Sequence, residues 1–278
     1  MKAPRPRAEA EAEATGSTAP TRILDWRHPR VAELIRSVQA VPSGASEPPP
    51  ACDQLATLRR AHGRIAATVR PVYSVHDERP VSEVLRRGRG SCSQRLAILE
   101  SVARASGVAT RVRGLLVDGA FWHPRFPHLR RLVPEQVLLA WPEFRIDEPA
   151  HGRSATATAT PTAQWLPVSE LFGDLDELSG RRAGGFTNVG AETLFEALSR
   201  TAVDWDGATA ATACGADAAS CDLSAHVLAD LGHFDSRDEL FTGHGQTLCG
   251  PVRWVAEPVL GRRSAGARPS AGPLTPVA

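Results

Sequence analysis

The stretch that most constrains this chain is RRGRGSCSQRLAILESVARASG at residues 86–107, which runs directly into VATRVRGLLVD at 108–118. Gly88 and Gly90 end whatever precedes them. Leu96, Leu99 and Ala103 then recur in phase with Cys92, and the pattern stops at Gly107. The residues that follow alternate as a strand does. The unit therefore predicts a helix that opens on Cys92 and packs on a sheet.

The rest of the chain can be parsed around this unit. Residues 1–22 lack periodicity and read as a disordered N-terminal segment. Helical patterns follow at 23–40, where Val31, Ile35 and Val38 share a face, and at 55–70, with the turn-rich SGASEPPPACD between them. VYSVHDERP reads as extended and VSEVLRRGRG as a short helix ending in glycines. After the strand at 108–118 comes the proline-bearing loop GAFWHPRFPHLRRLVPE, and then the clearest strand, QVLLAWPEFRID at 136–147. HGRSATATATPTA is a low-complexity hairpin connection, QWLPVSELF at 164–172 a return strand, and 190–200 another helix. The predicted organisation is a domain at 23–205, a linker at 206–220, a C-terminal helical extension at 221–262 and a disordered tail at 263–278. Helices followed by antiparallel strands indicate the α+β class.

Composition excludes several functions. A net charge of +1 gives no support to nucleic-acid binding, and no stretch approaches the ~18 apolar residues of a membrane span. The N-terminus has no apolar core, so the expectation is a cytoplasmic chain with free thiols rather than disulfides among its five scattered cysteines. No CxxC pair occurs, and His226, His233 and His244 lack usable ligand spacing, so neither a metal nor a cofactor is expected. Lys2 is the only lysine among 32 basic residues, which leaves no amine acceptor in the folded body.

A thiol at a helix N-terminus meets unpaired N–H groups and the positive end of the helix dipole, which lower its pKa and favour the thiolate. The same N–H groups suit an oxyanion, and Gly88 and Gly90 leave room for a substrate backbone. Cys92 in phase with Leu96 and Leu99 reads equally well as a small core residue. From the local residues both readings stand.

GSC at 90–92, RASG at 104–107 and ATRVRG at 109–114 resemble the core of the transglutaminase-like superfamily, a group of papain-like cysteine enzymes, over roughly residues 70–172. The resemblance implies a papain-like core and a nucleophilic role for Cys92. It also implies a histidine at the start of the next strand and an aspartate beyond a tryptophan on the strand after that. This chain has Gln136 at the first position and Ser169, four residues past Trp165, at the second. Neither side chain can accept a thiol proton near neutral pH.

Three readings remain. His123 or His128, oriented by Asp147, supplies the base from the preceding loop. Alternatively the dipole alone makes Cys92 a thiolate and Gln136 holds a carbonyl, which suits a pre-activated thioester. In the third, the cleft binds without catalysis. Gly90, Ser91, Trp122, Trp141 and Arg113 are the expected substrate-binding residues; Phe121, Trp122 and Phe126 form either a pocket wall or a loop pinned by its own aromatics. Arg111 and Arg113, with Arg86, Arg87 and Arg89, would form a basic rim. The expected activity is cysteine-dependent acyl transfer on a small-molecule, peptide or carrier-protein-bound acyl substrate. The alternative is a catalytically inactive binding protein.

Overall fold

The computed structural model describes residues 14–40, 54–126, 130, 133–146, 164–172, 186, 188, 193–198, 223–248, 253, 256–258, 260 and 265. Within them, helices α1 (Pro29–Gln39), α2 (Gln54–Thr68), α3 (Val81–Arg87) and α4 (Cys92–Ala105) precede an antiparallel sheet. The sheet has strands β3 (Thr110–Asp118), β4 (Gln136–Ile146), β5 (Gln164–Pro167) and β6 (Val227–Phe234), in the order β5-β4-β3-β6. Two-residue strands β1 (Arg70–Pro71) and β2 (Arg89–Gly90) form a small parallel pair beside α4. Short helices α5 (Val168–Leu171) and α6 (Arg237–His244) follow β5 and β6. Helices segregated from an antiparallel sheet make the chain α+β, as the sequence pattern predicts. Among the described residues no helix is long and apolar enough to cross a membrane.

Helix α4 is the centre of the molecule: every residue from Gln94 to Arg104 is buried. Leu96, Ile98, Leu99 and Val102 fill the space between α1, α2, α3 and β4. Three charged side chains, Arg95, Glu100 and Arg104, are buried with them. A buried charge needs a partner, and two of the three have close ones. Arg104 donates to Thr110 Oγ1 at 2.7 Å and to the carbonyls of Ala19 and Asp235. Glu100 accepts from Arg237 Nε at 2.5 Å, and neither side chain is exposed. Arg237 also donates to Ser93 Oγ at 3.0 Å and to the Ala140 carbonyl of β4 at 3.3 Å.

Several expectations change in the tertiary structure. Within the predicted C-terminal helical extension, Val227–Phe234 is instead a strand that pairs antiparallel with β3, while Leu223–His226 (3-10), Arg237–His244 and positions 253, 256–258 and 260 are helical. LADLGHF alternates too weakly to announce a strand, and what makes it one is the open edge of β3. The sheet is therefore completed by residues beyond the domain end expected at 205. QWLPVSELF is a strand only as far as Pro167 and then turns helical. Residues 193–198, expected within a helix, form turns. Part of the N-terminal segment expected to be disordered is packed: Ala14 is buried, and Ser17 bridges Thr110 with bonds of 3.0 and 3.1 Å. From the expected tail, the Ala265 N–H donates to Pro71 O at 3.0 Å. The linker at 206–220 lies outside the described residues.

Arg237 holds an otherwise uncompensated carboxylate between α4, α6 and β4. Removing one partner of a buried pair costs about 3–5 kcal/mol, whereas replacing both by apolar residues is close to neutral. Arg237→Ala is therefore expected to lose stability in that range by urea denaturation, and Glu100→Leu/Arg237→Met to recover most of it.

Candidate functional site

Cys92 is the first residue of α4, as its sequence context predicts. Ser91 caps the helix by accepting the Gln94 N–H, while Gln94 Oε1 accepts the Ser91 N–H. This capping box uses two of the four free N–H groups of the first turn. Among the described residues, nothing accepts from the N–H groups of Cys92 and Ser93. Ser91 is thus a structural cap, not the substrate contact expected of it. Gly90 is also structural: a Cβ there would lie 2.8 Å from Val84 Cγ1, so its space is filled by α3 rather than left for a substrate. Gly88, at φ +58°, ends α3 in the left-handed conformation.

The first turn of α4 is roofed by the loop after β1. Gln94 Nε2 donates to Ser74 Oγ at 2.9 Å and to the His76 carbonyl at 2.8 Å. Glu257 clamps that loop, accepting from the Ser74 hydroxyl and the Val75 N–H at 3.0 Å and from Arg79 at 2.7 Å. The C-terminal region therefore braces the Cys92 end of the helix.

Cys92 is half-buried, and burial pushes its thiol up to about 12. Arg95 and Arg237 pull the other way, while Glu196 and Asp77 add to the rise. Burial works against the expected thiolate, and magnitudes explain why. A helix dipole contributes about 1 kcal/mol, under one pKa unit, whereas burial of a charge shifts a pKa by several units. Desolvation wins. No imidazole is among the four charges that weigh most on this thiol.

Gln136 is exposed at the outer end of β4, opposite Asp118. Arg104 fixes the far end of α4 to the first residue of β3. The β4–β5 ladder covers only Glu143–Ile146, about 23 Å along the strand from Gln136, and Ser169 then leaves the sheet in α5. His123 lies in the 3-10 segment Gly119–Arg125, where no carboxylate among the described residues orients its ring. His128 and Asp147 lie outside the described residues.

The expected substrate-binding side chains are otherwise engaged. Trp141 is fully buried in the core, and its register partner Arg113 reaches Asp230 at 2.6 Å. Arg111 pairs with Glu143 at 2.7 Å and lies over Trp165, and His233 meets the other oxygen of Glu143 at 3.2 Å. Arg86 and Arg87 both bind Glu83. Four of the five arginines of the predicted basic rim, Arg86, Arg87, Arg111 and Arg113, are thus engaged in ion pairs. Phe121 packs on Trp122, Phe186 and His226, and Phe126 on Tyr73, so this loop is pinned by its own aromatics.

Sequence reasoning missed three residues around Cys92. Asp77 stands beside Ser93, and burial raises its carboxyl to about 6 against the pull of Arg237 and the Ser93 hydroxyl. Arg95 shares the Cys92 face of α4. His62, the one buried histidine among the described residues, stacks on Phe195 at 4.5 Å and Phe172 at 4.8 Å and donates from Nε2 to the Phe195 carbonyl at 2.7 Å. Burial lowers its pKa, and Arg95 lowers it further. Only the i, i+3 spacing of Arg95 from Cys92 was visible in the sequence.

The fold binds the Asp77 proton more tightly than the unfolded chain does. Its ionisation therefore penalises the folded state in full above about pH 6, and the penalty fades as pH falls towards 3.8. Asp77→Asn is expected to stabilise the protein at pH 8, by at most about 3 kcal/mol, and to have no effect near pH 3.5, in urea denaturation at the two pH values. Comparison of the chain with protein-family models, with curated proteins and with solved structures found no match.

Proposed function

We propose that this chain is a transglutaminase-like binding protein whose cleft at Cys92 works without thiol catalysis. The observation that carries the reading is the environment of the thiol. Burial pushes the thiol up to about 12, which favours the neutral form near pH 7, and a nucleophile needs an adjacent base to overcome that. Gln136 stands where the superfamily resemblance places a histidine, and glutamine cannot take the proton. The α+β order, with a cysteine-headed helix running into β3, supports the papain-like part of the proposal.

The competing reading is acyl transfer through a thioester on Cys92, with a small or carrier-bound substrate. It draws on the free N–H groups of Cys92 and Ser93, which could receive an oxyanion. It requires a base, and Asp77, whose carboxyl stands beside Ser93, is the group near the thiol that could take that role.

The pH dependence of Cys92 alkylation by iodoacetamide, followed by intact mass with Cys92→Ala as control, separates the two. The binding reading expects slow labelling with a midpoint above about pH 10. Rapid labelling with a midpoint below pH 8 would sink it in favour of acyl transfer.

A further inference from the structure

Arg95 lies three residues after Cys92 on the same face of α4, and helical side chains lean back towards the helix N-terminus. Its guanidinium is therefore carried towards the first turn, where the Cys92 and Ser93 N–H groups are free. The residue is 0% exposed, and its guanidinium faces the Phe195 ring at 4.3 Å. Nη1 donates to Thr193 Oγ1 at 3.3 Å and stands 3.7 Å from Glu196 Oε1, beyond hydrogen-bond length. Nε and Nη2 are buried and have no partner among the described residues.

The pattern of what is left over is informative. Nε and Nη2 form one edge of the guanidinium, the side-on fork that grips both oxygens of a carboxylate. This chain uses the same edge twice elsewhere: Arg86 presents it to Glu83 at 2.6 Å, and Arg113 presents it to Asp230 at 3.1 and 2.6 Å. A buried fork without an acceptor is expensive to maintain. Glu196, half-exposed, is near enough to neutralise the charge but not to fill the fork. Its other oxygen accepts the Thr193 N–H at 3.0 Å, which holds the turn 193–198 over Arg95.

We infer that the Arg95 fork at the first turn of α4 is a carboxylate site: the cleft takes a small monocarboxylic acid on Nε and Nη2, and Glu196 is the resident carboxylate that the ligand displaces. The inference rests on the reading of this cleft as a binding cleft. A single fork calls for one carboxylate, since a phosphate dianion would need further cations. The Phe195 ring beside it favours an apolar tail on the acid. A neutral thiol fits the same picture, because a thiolate would compete with the ligand for Arg95.

The test titrates the full chain with sodium butyrate and with butyramide, its neutral isostere, at matched ionic strength, reading the shift in Tm. Butyrate is expected to raise Tm saturably and butyramide to leave it unchanged. Arg95→Lys, which keeps the charge and loses the fork, is expected to weaken butyrate at least tenfold. Glu196→Gln is expected to tighten it about threefold or more by removing the competing carboxylate. Equal responses to butyrate and butyramide, no response to butyrate, or unchanged affinity in Arg95→Lys would each overturn the site. Should Arg95→Lys not fold, unchanged or weaker affinity in Glu196→Gln overturns it instead. Iodoacetamide labelling reads the thiol without butyrate. A low midpoint there would defeat the silent-cleft reading alone, and a failed titration would defeat the carboxylate site alone.

Discussion

The buried pair between Glu100 and Arg237 is the interaction on which the arrangement of this molecule depends. A carboxylate in the middle of a fully enclosed helix has no access to water, so its charge must be met by another chain segment. That segment is the start of α6, 137 residues away. The guanidinium that meets it also binds Ser93 and the Ala140 carbonyl, so one side chain fixes the helix, the sheet and the C-terminal region in a single geometry. The burial that makes this pair necessary raises Glu100 as well, with Arg237 opposing the rise.

The same enclosure governs the chemistry at the head of the helix. Cys92 has the position of a reactive thiol, with free N–H groups and two arginines nearby, yet burial outweighs all of them. Asp77 responds in the same sense. Arg86, Arg87, Arg111, Arg113 and Arg237 meet carboxylates, and Arg104 meets Thr110 and backbone carbonyls. Arg95 keeps Nε and Nη2 buried without a partner among the described residues.

Much of the helical half was legible in the sequence. Val31, Ile35 and Val38 are the buried face of α1, Gly88 and Gly107 mark the ends of α3 and α4, and the alternation of 110–118 marks β3. These signals are local: caps and periodicities act within a turn or two of the chain. Val227–Phe234 was read as helix because its strand character comes from the β3 edge and not from its own residues. At the site, the position of Cys92 was legible, whereas the roles of Ser91, Trp141 and Arg113 were not. Their partners Gln94, Asp230 and the enclosing core had to be in place before a cap, an ion pair or a buried ring could be told from a binding residue.

Residue pattern alone was enough for the α+β class and for the cysteine at the head of the central helix. Only the tertiary structure decided the state of the thiol, the pairing of Glu100 with Arg237 and the open fork of Arg95. The reason is the range of the forces. Periodicity and capping are written in neighbouring residues. Desolvation and ion pairing depend on which distant segments close over a side chain, and here those segments are residues 193–198, the start of α6 and the Glu257-braced loop.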